Sequence, residues 1–356
     1  AVGIAEATDL GVQFFAKNDD GRPLRPQVAI NLAAVNKRLL TLARQQSDDM
    51  RATLVEAGVR IITGHGRLEG DNAVVVSTDQ GGIDFDRVEA DTLVVSVGAS
   101  PRELPTAKPD GERILTWTQL YDMKALPEHL IVVGSGVTGA EFASAYMNLG
   151  AKVTLISSRE HVLPGEDRDA AAVLEKVFRR GGMTVLSRSR AERVERVGDG
   201  VLVTLSDGRT VEGSHCLMAV GSIPNTAGIG LEDVGVELTG SGHIRVNRVA
   251  RTSVPNIYAA GDCTTFVPLA SVASMQGRTA VFHALGDTVI PLERRRITAN
   301  IFTAPEIATV GRQERDLETG AINGYVHKLP LAANARAKMM GISDGFVKIV
   351  AREGSG

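Results

Sequence analysis

Gly134-Ser135-Gly136-Val137-Thr138-Gly139 is the segment of this chain whose residue types and spacing most plainly suit chemistry. A short apolar run, Leu130 to Val133, precedes it, and a stretch that reads as a helix follows at 137–149. In a strand–turn–helix setting, Gly134 permits a tight turn. Gly136 lets a pyrophosphate approach the backbone, and Gly139 allows the helix to pack close on the sheet. The helix N-terminus then favours the phosphate charge. The plainer alternative is a structural glycine turn. Twenty-three residues after Gly134, at the expected tip of the next strand, stand Ser157, Ser158 and Arg159. An acid there would bond a ribose 2′-hydroxyl. Two hydroxyls and a guanidinium suit a 2′-phosphate instead, which favours NADPH or use of both coenzymes. Against this, Arg159 reads equally as a solvated loop residue, and Glu160 lies next to it. Glu141, on the first turns of the helix, would face the nicotinamide end of a bound coenzyme or would be a surface carboxylate. Tyr258-Ala259-Ala260-Gly261-Asp262 reads as a buried strand tipped by a close-approach glycine and by an acid able to accept from a hydroxyl, or as an ordinary Asp turn.

The elements that position these residues follow from periodicity. Val28, Leu32, Val35, Leu39 and Leu42 repeat at helical spacing and predict one long helix over 26–58, packed on its own domain. Strands are expected at 59–62 and 73–78, at 83–88 across Gly81-Gly82, and at 92–97, the last of buried type. From 130 the order is strand, helix 137–149, strand 153–156, helix 169–180, strand 184–186. A hairpin 201–205/209–212 turns at Asp207-Gly208, and a strand follows at 215–220. That order is an α/β nucleotide-domain pattern. Further on come a strand at 257–260, a helix at 269–285, strands at 299–302 and 345–350, and an extended 309–311, with 354–356 as the middle of a hairpin.

Leu93-Val94-Val95-Ser96-Val97-Gly98 with Pro101 repeats as Leu217-Met218-Ala219-Val220-Gly221 with Pro224. In the second copy Gly134 precedes Gly221 by 87 residues. The same distance back from Gly98 reaches Gly11, where no glycine-rich turn stands. The first copy's strand, turn and helix are therefore expected before Ala1, and the chain reads as a fragment.

Composition agrees with a soluble globular class. The 356 residues are 43% hydrophobic and 23% charged, with a formal net charge of -3. There is no basic footprint for nucleic acid, no long apolar run for a membrane span and no secretory leader pattern. Cys216 and Cys263 are the two cysteines and have no metal or redox spacing; they read as core thiols in a reducing, cytoplasmic setting.

Taken in order, several segments resemble the pyridine nucleotide-disulfide oxidoreductases, which include lipoamide dehydrogenase and glutathione reductase. They are Val97 to Arg102, Gly134 to Glu141, Val220 to Thr226, Tyr258 to Asp262, and Phe302 to Gly311. The wording of Asp110 to Trp117 and of Asn334 to Met339 is most similar to actinobacterial lipoamide-dehydrogenase-like flavoproteins of NAD(P)H quinone reductase type. The resemblance implies tandem FAD- and NAD(P)-binding Rossmann-like domains and the start of an α+β dimerisation domain. Residues 1–103 and 228–295 would form the FAD domain, 104–227 the NAD(P) domain and 296–356 the dimerisation domain of a homodimer.

It further implies that Asp262 bonds the FAD ribitol and that Pro268, Leu269, Ala270 and Ser271, at a helix start, lie at the flavin pyrimidine end. Gly66, Gly98 and Ala99 would line the FAD site. Val137 would be the gate over the flavin, and Glu141 would pair with a lysine expected before Ala1. Gly221 would lie near the nicotinamide and Ala191 near the adenosine. Ser157, Ser222 and Ser271 depart from the family's usual acid, arginine and histidine. A C-x4-C redox pair is expected before Ala1 and an acid–base histidine after Gly356. The activity implied is hydride transfer from NAD(P)H to FAD and on to a quinone. The alternatives are a disulfide such as lipoamide or a redox-sensing flavoprotein without turnover.

Overall fold

The computed structural model describes residues 16–17, 23–24, 30–77 and 86–354. The expected helix start at 26–29, the Gly81-Gly82 turn with Ile83, and the final Ser355-Gly356 lie outside the described residues. Two compact units divide the chain. One holds residues 1–44, 101–221 and 300–356; the other holds 45–100 and 222–299.

In the first unit, five short parallel strands make one sheet: β2 (Ile114–Leu115), β3 (His129–Val133), β4 (Lys152–Ile156), β5 (Thr184–Leu186) and β9 (His215–Met218). Their order across the sheet is β5-β4-β3-β9-β2. β3 is central, and Leu130, Ile131, Val132 and Val133 are all buried. Burial on both faces is why its sequence is a continuous apolar run rather than an alternating one. Register aligns the strand ends: Val133 lies beside Ile156 and Met218, and Ile156 beside Leu186. The chain thus leaves β3, β4, β5 and β9 along one edge. β4 lies on one side of β3 and β9 on the other, which makes the β3/β9 edge a topological switch point.

Helix α2 (Val137–Asn148) buries Gly139, Ala140, Phe142 and Ala143. Helix α3 (Arg168–Arg180) buries Ala171, Leu174 and Phe178, spaced to share one face. Asp167 caps α3, its side chain accepting from the Asp169 and Ala170 amides at 3.0 and 3.4 Å. An antiparallel sheet of β6 (Ala191–Val197), β7 (Gly200–Leu205) and β8 (Thr210–Gly213) follows β5. The hairpin turn at Asp207-Gly208 is as expected, with Gly208 at φ 86°. β6 was not foreseen: in Ala-Glu-Arg-Val-Glu-Arg-Val only Val194 is buried, so no apolar alternation marks it. β11 (Gly324–Pro330), paired antiparallel with β12 (Phe346–Arg352), went unforeseen for the same reason.

Helix α1 (Leu32–Glu56) begins after Asn31, whose side chain accepts from the Ala34 amide at 3.0 Å. Only its first turns meet the core: Leu32, Val35 and Leu39 pack there, whereas Leu42 is 52% exposed. Buried Asn36 donates to the Leu120 and Met123 carbonyls at 3.1 and 2.9 Å. The anticipated strand at 59–62 does not form. The strand that forms is His65–Leu68, and it takes the Ala73–Ser77 edge that 59–62 would need.

In the second unit, His65–Leu68, Ala73–Ser77 and Asp86–Glu89 make an antiparallel sheet. β1 (Leu93–Val95) pairs parallel with β10 (Ile257–Ala259), and helix α4 (Ala270–Ala284) follows. β1 is shorter than expected and not of fully buried type, since Val94 is 40% exposed. Among the described residues its one partner is β10. Leu93, Val95, Leu231, Ile244, Ile257 and Cys263 lie in this unit's core.

Candidate functional site

The glycine turn sits on the sheet edge where the strand ends converge. Gly134 has φ 109°, and a Cβ built on it would lie 2.2 Å from the Ala219 carbonyl oxygen. A Cβ on Gly139 would lie 1.9 Å from the Gly134 carbonyl oxygen. Both positions therefore require glycine to bring α2 against the β9 turn. Gly136 differs: it has φ −70°, and a Cβ there meets nothing within 4 Å. It is the N-cap of α2 and supplies no side-chain cap, so the first-turn amides open outward. Gly136, Val137 and Thr138 are exposed while Gly139 is buried. Closed steric contact behind and open backbone in front is the cradle a pyrophosphate fits. Gly221, on the same edge, has φ 98° and open space around it.

The strand-tip residues divide. Ser157 is fully buried. Its hydroxyl lies 2.7 Å from that of buried Ser135, and it accepts from the Arg159 amide at 3.1 Å. Ser157 thus braces the loop and ties it to the glycine turn. The Leu163 amide, donating to the Ser135 carbonyl at 2.8 Å, adds a second tie. Ser158 and Arg159 are exposed. The Arg159 guanidinium has no partner among the described residues.

Sequence reading missed the turn after β5. There Arg188 takes φ 51°, a left-handed backbone uncommon outside glycine, and its guanidinium pairs with Glu160. Arg190 is exposed two residues on. The signal lay in Ser187-Arg188-Ser189-Arg190, but only the parallel alignment of β4 and β5 brings it beside Arg159. Ala191, at the start of β6, pairs with Leu205 and is half-buried.

Glu141 accepts from the Phe302 amide at 2.8 Å, and the Ser144 hydroxyl accepts from the Ala304 amide at 2.9 Å. Together they hold the Phe302 to Pro305 segment on α2.

In the second unit, β10 ends in Gly261 (φ 85°) and exposed Asp262. Buried Gln276 holds this turn. Its Oε1 accepts from the Gly261 amide at 2.9 Å, and its Nε2 donates to Thr264 Oγ1 at 3.1 Å. Asp262 is left free to accept from a hydroxyl. Leu269 caps α4 without a side-chain bond, so this helix too presents uncapped amides. Pro268, Ala270 and Ser271 are exposed there and Leu269 is half-buried. Gly98, at φ 65°, accepts from the Asn225 amide at 3.0 Å, and Asn225 also accepts from Ser100 Oγ at 2.7 Å. Ala99 is half-buried at the start of the short strand Ala99–Pro101, and Gly66 lies exposed on His65–Leu68. An acid on a fixed glycine turn and an open helix N-terminus suit a flavin's ribitol and pyrimidine.

Cys216 and Cys263 are buried, and burial pushes both thiols up from their ordinary range, so neither is a reactive thiolate. Among the described residues no cluster of His, Cys, Asp or Glu could hold a metal, and no helix is long and apolar enough to cross a membrane.

A family model described as pyridine nucleotide-disulphide oxidoreductase matches residues 17–277, and that family's dimerisation domain matches 297–356. The chain is 52% identical over 332 residues to a Mycobacterium tuberculosis (strain ATCC 25618 / H37Rv) protein named NAD(P)H dehydrogenase (quinone). The match covers 92% of this chain and 67% of that protein. It is 32% identical over 331 residues to the dihydrolipoyl dehydrogenase of Zymomonas mobilis, covering 92% and 70%. Among solved structures, LpdA from Mycobacterium tuberculosis superposes with a TM-score of 0.88 at 51% identity, covering 92% of this chain and 72% of that one. The HOCl-induced flavoprotein disulfide reductase RclA of Escherichia coli, at 24% identity, shares the fold with a TM-score of 0.82, covering 92% and 74%. The glycine cradle, the Gly-Asp turn and these matches agree: the chain belongs to the pyridine nucleotide-disulphide oxidoreductase family.

Proposed function

We propose that this protein is an FAD-dependent NAD(P)H oxidoreductase that delivers electrons to a quinone-type acceptor and works as a homodimer through residues 297–356. Family membership implies FAD and NAD(P)H. The observation that carries the reading is the open Gly136 cradle at the strand-order switch, in a chain 52% identical to a named NAD(P)H dehydrogenase (quinone). FAD, when bound, supplies the centre that takes hydride from the nicotinamide and gives two electrons to the acceptor.

The chain's own residues bind and orient. Gly134, Ser135 and Gly136, with the amides of Val137, Thr138 and Gly139, hold the pyrophosphate. Ser158 and Arg159, braced by Ser157, receive the 2′-phosphate of NADPH, the coenzyme this edge favours. Ala191 lies toward the adenosine, and Gly221 leaves room for the nicotinamide. Val137 is the gate over the flavin, and Glu141 keeps the Phe302 segment docked while offering its other oxygen to a cation. On the flavin side, Asp262 accepts from a ribitol hydroxyl, and the α4 N-terminus at Pro268, Leu269, Ala270 and Ser271 steadies negative charge. Gly66, Gly98 and Ala99 admit the rest of the dinucleotide. A cytoplasmic site of action fits the two unpaired thiols.

The competing reading is a dihydrolipoyl dehydrogenase, which the relative at 32% identity favours. The deciding experiment follows NAD(P)H oxidation by the FAD-loaded protein with a small naphthoquinone and with lipoamide at equal enzyme. Quinone turnover with little lipoamide turnover is expected. Fast lipoamide turnover with none on quinone reverses the assignment. No turnover with either acceptor, together with slow flavin reduction, would support a redox sensor.

A further inference from the structure

The loop after β4 and the turn after β5 form one braced unit. The Ser157 amide donates to the Leu186 carbonyl at 2.9 Å, the Ser189 amide to the Ser157 carbonyl at 2.7 Å, and the Arg188 amide to the Arg159 carbonyl at 2.8 Å. Arg209 donates to Ser189 Oγ at 2.8 Å and fixes the turn from the hairpin side. Two local costs sit in this turn. Arg188 is left-handed at φ 51°, and the buried Ser187 hydroxyl has no partner among the described residues. Strain of this kind persists only where the surroundings enforce it, and it tends to gather at sites that use it. Its result is to carry the Arg188 guanidinium to Glu160, a carboxylate three residues beyond Ser157. The pair is open to water, with side-chain exposures of 73% and 60%. An exposed pair of this sort is held weakly.

We propose that Glu160 and Arg188 act together as the coenzyme selector of this site. The proposal rests on the reading of this edge as the adenosine end of the NAD(P)H site. When a 2′-phosphate arrives, Arg188 exchanges Glu160 for the doubly charged group, which makes the stronger charge-assisted bond, and joins Arg159 on it. When the 2′-position carries a hydroxyl, Arg188 stays on Glu160, and a free carboxylate lone pair accepts the hydroxyl hydrogen. One hinge side chain thus lets one edge serve both coenzymes. Without Arg188, Glu160 would stand as an uncompensated negative charge against NADPH.

Isothermal titration of the protein with adenosine 2′,5′-bisphosphate and with adenosine 5′-monophosphate tests this without any redox readout. Arg188→Gly is the first variant, because glycine adopts φ 51° freely and the turn should keep its shape. It should bind the bisphosphate roughly tenfold more weakly, the size of one lost charge-assisted contact, and the monophosphate within about twofold of the parent. Glu160→Gln should shift the ratio the other way, tightening the bisphosphate and weakening the monophosphate severalfold. Arg188→Asn, which also tolerates this backbone, guards against a failure of Arg188→Gly to fold. Equal effects of Arg188→Gly on both ligands, or an unchanged ratio in Glu160→Gln, overturn the selector. If the parent protein binds neither ligand, the nucleotide reading of this edge falls, and the selector with it.

Discussion

The glycines of the turn between β3 and α2 separate into two kinds when each is tested for a side chain. At Gly139 an added Cβ would sit 1.9 Å from the Gly134 carbonyl oxygen, so the backbone itself must move. At Gly136 the space is empty and φ is ordinary. Gly139 therefore serves packing, whereas Gly136 leaves open backbone where the pyrophosphate is proposed to lie. Gly139→Ala should lower stability by about 1–3 kcal/mol, the usual cost of overpacking, seen as an earlier denaturant midpoint. Gly136→Ala should leave that midpoint within about 0.5 kcal/mol of the parent, as for a surface change, yet weaken ADP-ribose binding. A Gly136→Ala protein that binds ADP-ribose as the parent does would mean the pyrophosphate lies elsewhere. Ser157 shows the same division among hydroxyls. From sequence it reads as a ligand contact beside Ser158, but its burial against Ser135 makes it a brace.

Helix α3 is held at its N-terminus by one carboxylate with two tasks. Asp167 caps the helix and also accepts from Lys348 on β12 at 2.9 Å. Lys348 is nearly buried, with a side-chain exposure of 9%, and meets Asp169 and Glu314 as well. Burial alone would pull its ammonium down, but the bonds to Glu314, Asp167 and Asp169 outweigh that and hold it above its ordinary value. The Lys348 charge is thus compensated several times over, and losing one partner does not strand it. Asp167→Ala should cost about 1–3 kcal/mol, the cap plus a share of the ion network. Lys348→Met in the same background should add less than it does alone, because the two side chains share a bond. Additive losses in a double-mutant cycle would show that α3 and β12 are not coupled through this contact.

For the molecule as a whole, acid stability has an identifiable contributor in His215, at the start of β9. Burial, and then the adjacent Arg113 guanidinium, push its imidazole down to about 4. The folded protein therefore resists a proton that the unfolded chain accepts from about pH 6.5 downward. Stability is full above that value, declines as pH falls from about 6.5 to 4, and loses nothing further to this group below 4. After allowance for solvent around a half-buried ring, the loss should be on the order of 1–2 kcal/mol. His215→Gln should flatten the melting temperature against pH over that window relative to the parent. Parallel curves for the two proteins would assign the acid sensitivity to other groups.

Much of this architecture is legible without coordinates, because the features concerned are local. A strand buried on both faces must be apolar throughout, as Leu130 to Val133 is, and a turn that admits no Cβ must be glycine, as at Gly134 and Gly139. The amphipathic stripe of α3 and the Asp207-Gly208 hairpin are likewise written in adjacent residues. What the sequence could not show depends on non-local partners. The segment at 59–62 has strand propensity, but His65–Leu68 takes the edge. β6 is polar because only Val194 faces the core. Arg188 lies 29 residues after Arg159 and reaches it only because β4 and β5 run parallel in register. Residue type and spacing determined the apolar strand, the glycine turn and the helix that follows it. Only the tertiary structure decided which hydroxyls brace the loop and which charges meet at its rim, since burial and cross-strand register are properties of the assembled sheet.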